Sequence, residues 1–315
     1  MTSVLVLVVL ALAFPWGGAA VAGRLAGILP PRQACWVLTG ATVLLAGGTI
    51  AALIGLFHVP FLASLERIPL PRVVDVWPAA LPLAGAAGAV LLAQSLLVLR
   101  RWVQHRSLLR RAWLLAEQGT GDGDLLVVQG AEVDAFALPA YRGRRGRVVV
   151  TSGMMRTLRG GEREVLLAHE RAHLSGRHHV LSAVADLATV VHPALRSLRA
   201  SLAFHLERWA DETAAAVVGS RRATAAALAR AALAGSGHGG SRGGAYPLLS
   251  ATSGPLPQRV EALLGPEPAT PRGSVRRAGA AALASTVAAL AFGSLALAYG
   301  LHEYVEYAAI AVRGE

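Results

Sequence analysis

"LLAHERAHLSGRHH", residues 166–179, sets four histidines and one glutamate in a chain otherwise rich in alanine, leucine, valine and glycine. In the wider stretch "GEREVLLAHERAHLSG", Val165, Leu166, Ala168, His169, Ala172 and His173 recur at spacings of three and four, the period of an amphipathic helix. Glu162 and Glu164 suit its first turn, and Gly176 is placed to stop it. Residues four apart stack on one helical face, so His169 and His173 can offer ring nitrogens to a single ion. Zinc takes nitrogen and oxygen ligands in a tetrahedral shell and keeps one position open in catalytic sites. Glu170 points slightly aside, toward the attacking water rather than the ion. His169-Glu170-x-x-His173 thus supplies two ligands and a general base in five residues. The expected cofactor is one zinc ion per chain.

A third protein ligand is required. Glu207, in "LERWADETAA", is the best candidate, with Asp211 four residues later on the same face. Asp211 is expected to accept a hydrogen bond from a ligand histidine's remaining N–H and so fix its orientation. His192 and His205 compete for the third position, but His205 lies two residues from Glu207 and faces away. His178 and His179 follow the helix-ending glycine and would have to fold back, so they are expected at an interface or in solvent.

Short β-branched runs precede the helix: "LLVVQ" at 125–129, "DAFALPA" at 134–140 and "RVVVTS" at 147–152. With the turn "YRGRRGR", they predict a small sheet. Helical patterns follow at 181–188, in "LRSLRASLAFHLERWADETAAAVV" and in "PLPQRVEALLG". Between the last two, the glycine-rich "GSGHGGSRGGAY" at 235–246 reads as a loop. Tyr246 and His238, in that loop, are candidates for oxyanion stabilisation or for a lid.

Composition sets the surroundings. Hydrophobic residues make up 54% of the chain and charged ones 16%, too apolar for an ordinary soluble domain. Four runs of roughly membrane-spanning length, 4–22, 36–57, 76–99 and 278–301, contain no Asp, Glu, Arg or Lys. The net charge of +11 comes entirely from arginine, since the chain has no lysine. Five arginines at 100–111 follow the third run, and Arg272, Arg276 and Arg277 precede the fourth. Positive flanks mark the cytoplasmic side, which predicts a cytoplasmic block at 100–277 and a short extracellular tail at 302–315. The same reading makes the basic charge a membrane flank rather than a nucleic-acid surface, so no direct nucleic-acid binding is expected. The single cysteine, Cys35, allows no intrachain disulfide.

HERAH followed by E-x-x-A-D resembles the gluzincin metallopeptidases, as do "DAFALPA" and "GRVVVTSGMM". Within them the chain is similar to membrane-embedded families of the HtpX and CAAX-prenyl-protease type, and its membrane layout is most similar to BlaR/MecR-type antirepressor peptidases. The resemblance covers roughly residues 125–220. It implies zinc-dependent hydrolysis of a protein or peptide substrate at the bilayer, with a cytoplasmic transcriptional repressor as one expected partner. A quality-control protease of HtpX type and an inactive signalling scaffold are the alternative expectations. It further implies that Val148, Val149 and Val150 offer a strand edge to an extended substrate. Beta-lactam sensors carry a large penicillin-binding domain after the last helix, whereas "HEYVEYAAIAVRGE" follows the fourth run in this sequence, so direct antibiotic sensing is not expected. The expected fold is mainly α: four transmembrane helices around a cytoplasmic α+β zincin-like metalloprotease domain.

Overall fold

Proline positions divide the N-terminal third. Helix α1, Thr2–Ile28, gives way at Leu29-Pro30 to α2, Pro31–Phe57. Pro31 sits at the first turn of α2, where its missing N–H leaves no bond unmade. Two short helices follow, α3 (Val59–Leu65) and α4 (Leu70–Val76), then the long α5, Ala80–Ala116. This computed structural model describes residues 2–65, 67–237 and 255–267, with scattered positions from 277 to 293.

Among the described residues, α2 and α5 are long and apolar enough to cross a membrane. The surface of α5 makes the stronger case: Val90, Leu92, Leu96, Leu97 and Leu99 are all exposed. A contiguous apolar surface of that kind is a liability in water and normal against lipid. The expected run at 4–22 falls within α1, and the run at 36–57 within α2. The third run starts late, at Ala80, because Trp77-Pro78 breaks the chain after α4. The segment at 58–75, between the second and third runs, is largely the helices α3 and α4. Most of the run at 278–301 and all of the tail at 302–315 lie outside the described residues.

Helix α5 continues unbroken through its arginines for 37 residues, about 55 Å at a helical rise of 1.5 Å. It delivers the chain to a three-stranded sheet: β1 (Leu125–Val128), β2 (Ala135–Leu138) and β3 (Arg147–Thr151), in the order β1-β3-β2. Strand β3 pairs in parallel with β1 and antiparallel with β2. The expected edge role of Val148, Val149 and Val150 is therefore corrected. These residues form the central strand, with both edges paired and all three side chains buried. Three consecutive valines suit a strand covered on both faces, whereas a half-exposed edge strand alternates apolar with polar.

Helices α6 (Ser152–Thr157), α7 (Gly160–Ser175), α8 (His178–Val191), α9 (Leu195–Val218), α10 (Arg221–Gly237) and α11 (Leu256–Leu264) complete the described chain. At the start of α7 the Arg159 backbone N–H donates to the Glu162 carboxylate at 2.9 Å, satisfying a group the helix itself leaves open.

The main core joins apolar helices to this block. Ala22 and Ala26 of α1 and Leu38 and Leu45 of α2 pack with Leu181 of α8 and with Leu195, Leu198, Leu202 and Leu206 of α9. Each leucine so buried contributes on the order of 1.5–3 kcal/mol. At the tip of the α8–α9 hairpin the His192 ring nitrogen lies 3.0 Å from the Leu12 carbonyl oxygen of α1. Farther along α9, the Arg32 guanidinium stands over the Trp209 ring at 5.6 Å. Residue 99 is thus no boundary in the fold: α5 runs through it, and α8 and α9 share one core with α1 and α2.

A charge cluster fastens α5 to the hairpin. Asp186 of α8 is buried and meets Arg101 at 3.0 Å, His105 at 3.2 Å and Arg199 of α9 at 2.9 Å. The two arginines are about half exposed, which screens the attraction. Asp186→Asn is expected to cost about 1 kcal/mol, read as a lowered thermal midpoint of the detergent-solubilised protein.

Candidate metal centre

Helices α7 and α9 cross so that their polar faces meet inside the protein. His169 and Glu170 come from α7, Glu207 and Asp211 from α9, and all four are buried. The ligand atoms of His169, His173 and Glu207 lie within 4.8 Å of one another, the one such cluster among the described residues. The two histidine Nε2 atoms are 3.1 Å apart, and each is 3.6 Å from a Glu207 oxygen. Tetrahedral ligands at zinc distances of about 2.0–2.2 Å stand about 3.3 Å from one another. The three donors therefore fit a zinc ion without rearrangement.

The surroundings orient these donors. His169 Nδ1 lies 3.0 Å from Asp211 Oδ1, a carboxylate contact that favours the ring proton on Nδ1 and leaves Nε2 facing the ligand cluster. Arg259 of α11 lies behind both carboxylates. Its guanidinium donates to Asp211 at 2.8 and 2.6 Å and meets Glu207 at 2.9 Å. At 3% side-chain exposure it is a buried cation compensating two buried anions. The sequence reading missed it, although "PQR" opening a short helix was in view.

Burial works against charge on His169, but Asp211 and Glu207 outweigh it and raise its pKa to about 10. Burial works the other way on Asp211, yet Arg259 and His169 hold it at about 2. Burial pushes His173 down to about 3, leaving a neutral imidazole. Glu170 is pushed up to about 8, by burial first and by the negative charges of Glu207 and Asp134 next. The Ala137 backbone N–H of β2 favours its charged form slightly, yet neither oxygen makes a full hydrogen bond among the described residues. A carboxylate so placed is available to a water molecule.

These values set a sign for metal loading. A metal must displace the proton that His169 holds below about pH 10. Zinc affinity is expected to rise with pH between 6 and 8, with about one proton released per ion bound. Titration calorimetry in buffers of different ionisation enthalpy reads both.

A cavity of about 490 Å³ leads away from the cluster. His173, Glu207 and Ala137 line it, together with Trp102, Asp186 and Arg199. His205 is buried outside the cluster, and His192 stands at the hairpin tip. Tyr246 and His238 lie outside the described residues. His178, expected at an interface or in solvent, is instead buried, with Nδ1 2.8 Å from Nδ1 of His173.

Residues 106–205 match the family model of peptidase family M48. The matched stretch, about a third of the chain, holds His169, Glu170 and His173 and ends two residues short of Glu207. No curated protein and no solved structure matches the chain. The stretch similar to family M48 carries the histidine pair, and the geometry adds a carboxylate outside that stretch.

Proposed function

We propose that the protein is an integral membrane zinc metalloendopeptidase whose catalytic block faces the cytoplasm. The observation that carries this reading is the meeting of His169, His173 and Glu207 at zinc-ligand separations, with the Glu170 carboxylate buried alongside. The exposed apolar surface of α5 and the arginines that follow it support the membrane setting and its orientation.

His169, His173 and Glu207 would hold the zinc ion, which when bound supplies Lewis acidity to the carbonyl under attack. Glu170 accepts a proton from the attacking water and delivers it to the departing amine nitrogen. Asp211 keeps His169 in the tautomer that presents Nε2. Burial removes competing water from Glu170 and keeps its basicity high, which suits a proton shuttle near neutral pH. Ala137 and Pro139 of the β2 end line the cavity, and β2 is an outer strand of the sheet. An extended substrate therefore runs along β2, in place of the β3 edge that the sequence suggested.

The substrate is a cytoplasmic or membrane-associated protein, with a transcriptional repressor and a damaged membrane protein as the two candidates. The purified full-length protein is expected to contain one zinc per chain by elemental analysis and to cleave an unfolded reporter protein. A chelator should stop cleavage and added zinc restore it. Zinc-loaded protein without cleavage of any reporter would overturn the enzymatic reading, and failure to bind zinc would remove its basis.

A further inference from the structure

We infer that His178 is a positioning residue for the metal centre: it fixes the ring of His173 as Asp211 fixes that of His169. This rests on the reading of His173 as a ligand. His173 faces the cluster with Nε2, 3.1 Å from His169 and 3.6 Å from Glu207. A neutral imidazole that presents Nε2 as a lone pair carries its proton on Nδ1. That Nδ1 is 2.8 Å from His178 Nδ1, so His173 donates and His178 accepts. The His178 proton then sits on its own Nε2.

The local backbone is shaped for this contact. Helix α7 ends at Ser175, and with only Gly176 and Arg177 between them α8 begins at His178. The turn between them places Arg177 at φ 51° and ψ 39°, the left-handed region that residues with a side chain seldom occupy. This reversal folds His178 back onto the helix it has just left. A Cβ on Gly176 would overlap the His178 ring, so glycine is the residue that leaves room for it. The far face of the ring packs on Trp209 of α9, centroid to centroid at 4.5 Å. His178 is thus held between Gly176, His173 and Trp209 and is 2% exposed.

The two ligand histidines consequently have unlike supports. Asp211 is an anion that strengthens its partner as a donor to a cation, and His178 is a neutral ring that supplies direction only. Losing such a support typically weakens metal binding about 10- to 100-fold.

The test uses the full-length protein in detergent and measures zinc affinity by competition with a chromogenic chelator. His178→Phe keeps the packing on Trp209 and removes the acceptor. It is expected to bind zinc about 10- to 100-fold more weakly while its thermal midpoint without metal stays near that of the wild type. His178→Gln, whose carbonyl can accept the same bond, is expected to recover most of the lost affinity. Gly176→Ala should weaken binding on its own but add little in a His178→Ala background, because its effect runs through the displaced ring. Wild-type affinity in His178→Phe would overturn the inference and leave the metal site intact. An affinity loss in Phe and Gln alike would also overturn it, by assigning the effect to packing. A wild-type protein that binds no zinc would instead defeat the reading of the site itself.

Discussion

Glu170→Gln is expected to lower kcat about 10²- to 10⁴-fold while one zinc ion per chain is retained. The amide keeps the size of the side chain and removes its ability to take a proton, and general-base catalysis of this kind contributes about 10²–10⁴. Retention of metal follows from geometry, because the ligand cluster is formed by His169, His173 and Glu207 alone. Elemental analysis beside single-turnover cleavage reads both outcomes, and undiminished turnover would assign the base elsewhere. For the wild type, kcat/KM should rise with pH on a limb whose midpoint lies below about 8. That is the value to which burial lifts the Glu170 carboxyl in the absence of a metal ion, and bound zinc favours its charged form. The base is present above this midpoint and lost below it.

Arg259→Met is expected to produce the largest loss of stability. The guanidinium donates two hydrogen bonds to Asp211 and pairs with Glu207, and all three side chains are nearly inaccessible. Removing one partner leaves buried carboxylates uncompensated, which costs about 3–5 kcal/mol. Arg259→Lys should recover only part of that, since a single ammonium cannot reproduce the planar fork that spans two carboxylates. Denaturation of the metal-free protein isolates this effect, because bound zinc would itself offset the repulsion between Glu207 and Asp211. Equal stability in the Met variant would show that both acids can take up protons at little cost.

The parts of the site that could be read from the sequence are those carried by a single helix. His169, Glu170 and His173 are neighbours on α7, and Glu207 and Asp211 are neighbours on α9. Helical periodicity alone fixes each set, and ligand chemistry suggests joining them. The strands too were visible as β-branched runs. Their order was not, since pairing β1 with β3 across the β2 hairpin is a non-local choice. Even so, the unbroken Val148, Val149 and Val150 carried a signal of double-sided burial that points to a central strand. His178 escaped because its position depends on a left-handed Arg177, for which a non-glycine residue gives no cue. Arg259 escaped because it meets Asp211 across 48 residues of chain. The seating of α8 and α9 on α1 and α2 was hidden by a still greater distance in sequence, although leucines at 195, 198, 202 and 206 display the required stripe.

That stripe ends one residue before the carboxylate facing the histidine pair. Leu206 belongs to the apolar core that α9 shares with α1 and α2, and Glu207, next in line, belongs to the candidate metal cluster. Close-packed interiors pass displacement on rather than absorb it. In the membrane setting proposed above, the thickness and lateral pressure of the lipid would bear on the same rigid rod that carries Glu207, which would make the bilayer a mechanical neighbour of the site as well as its container.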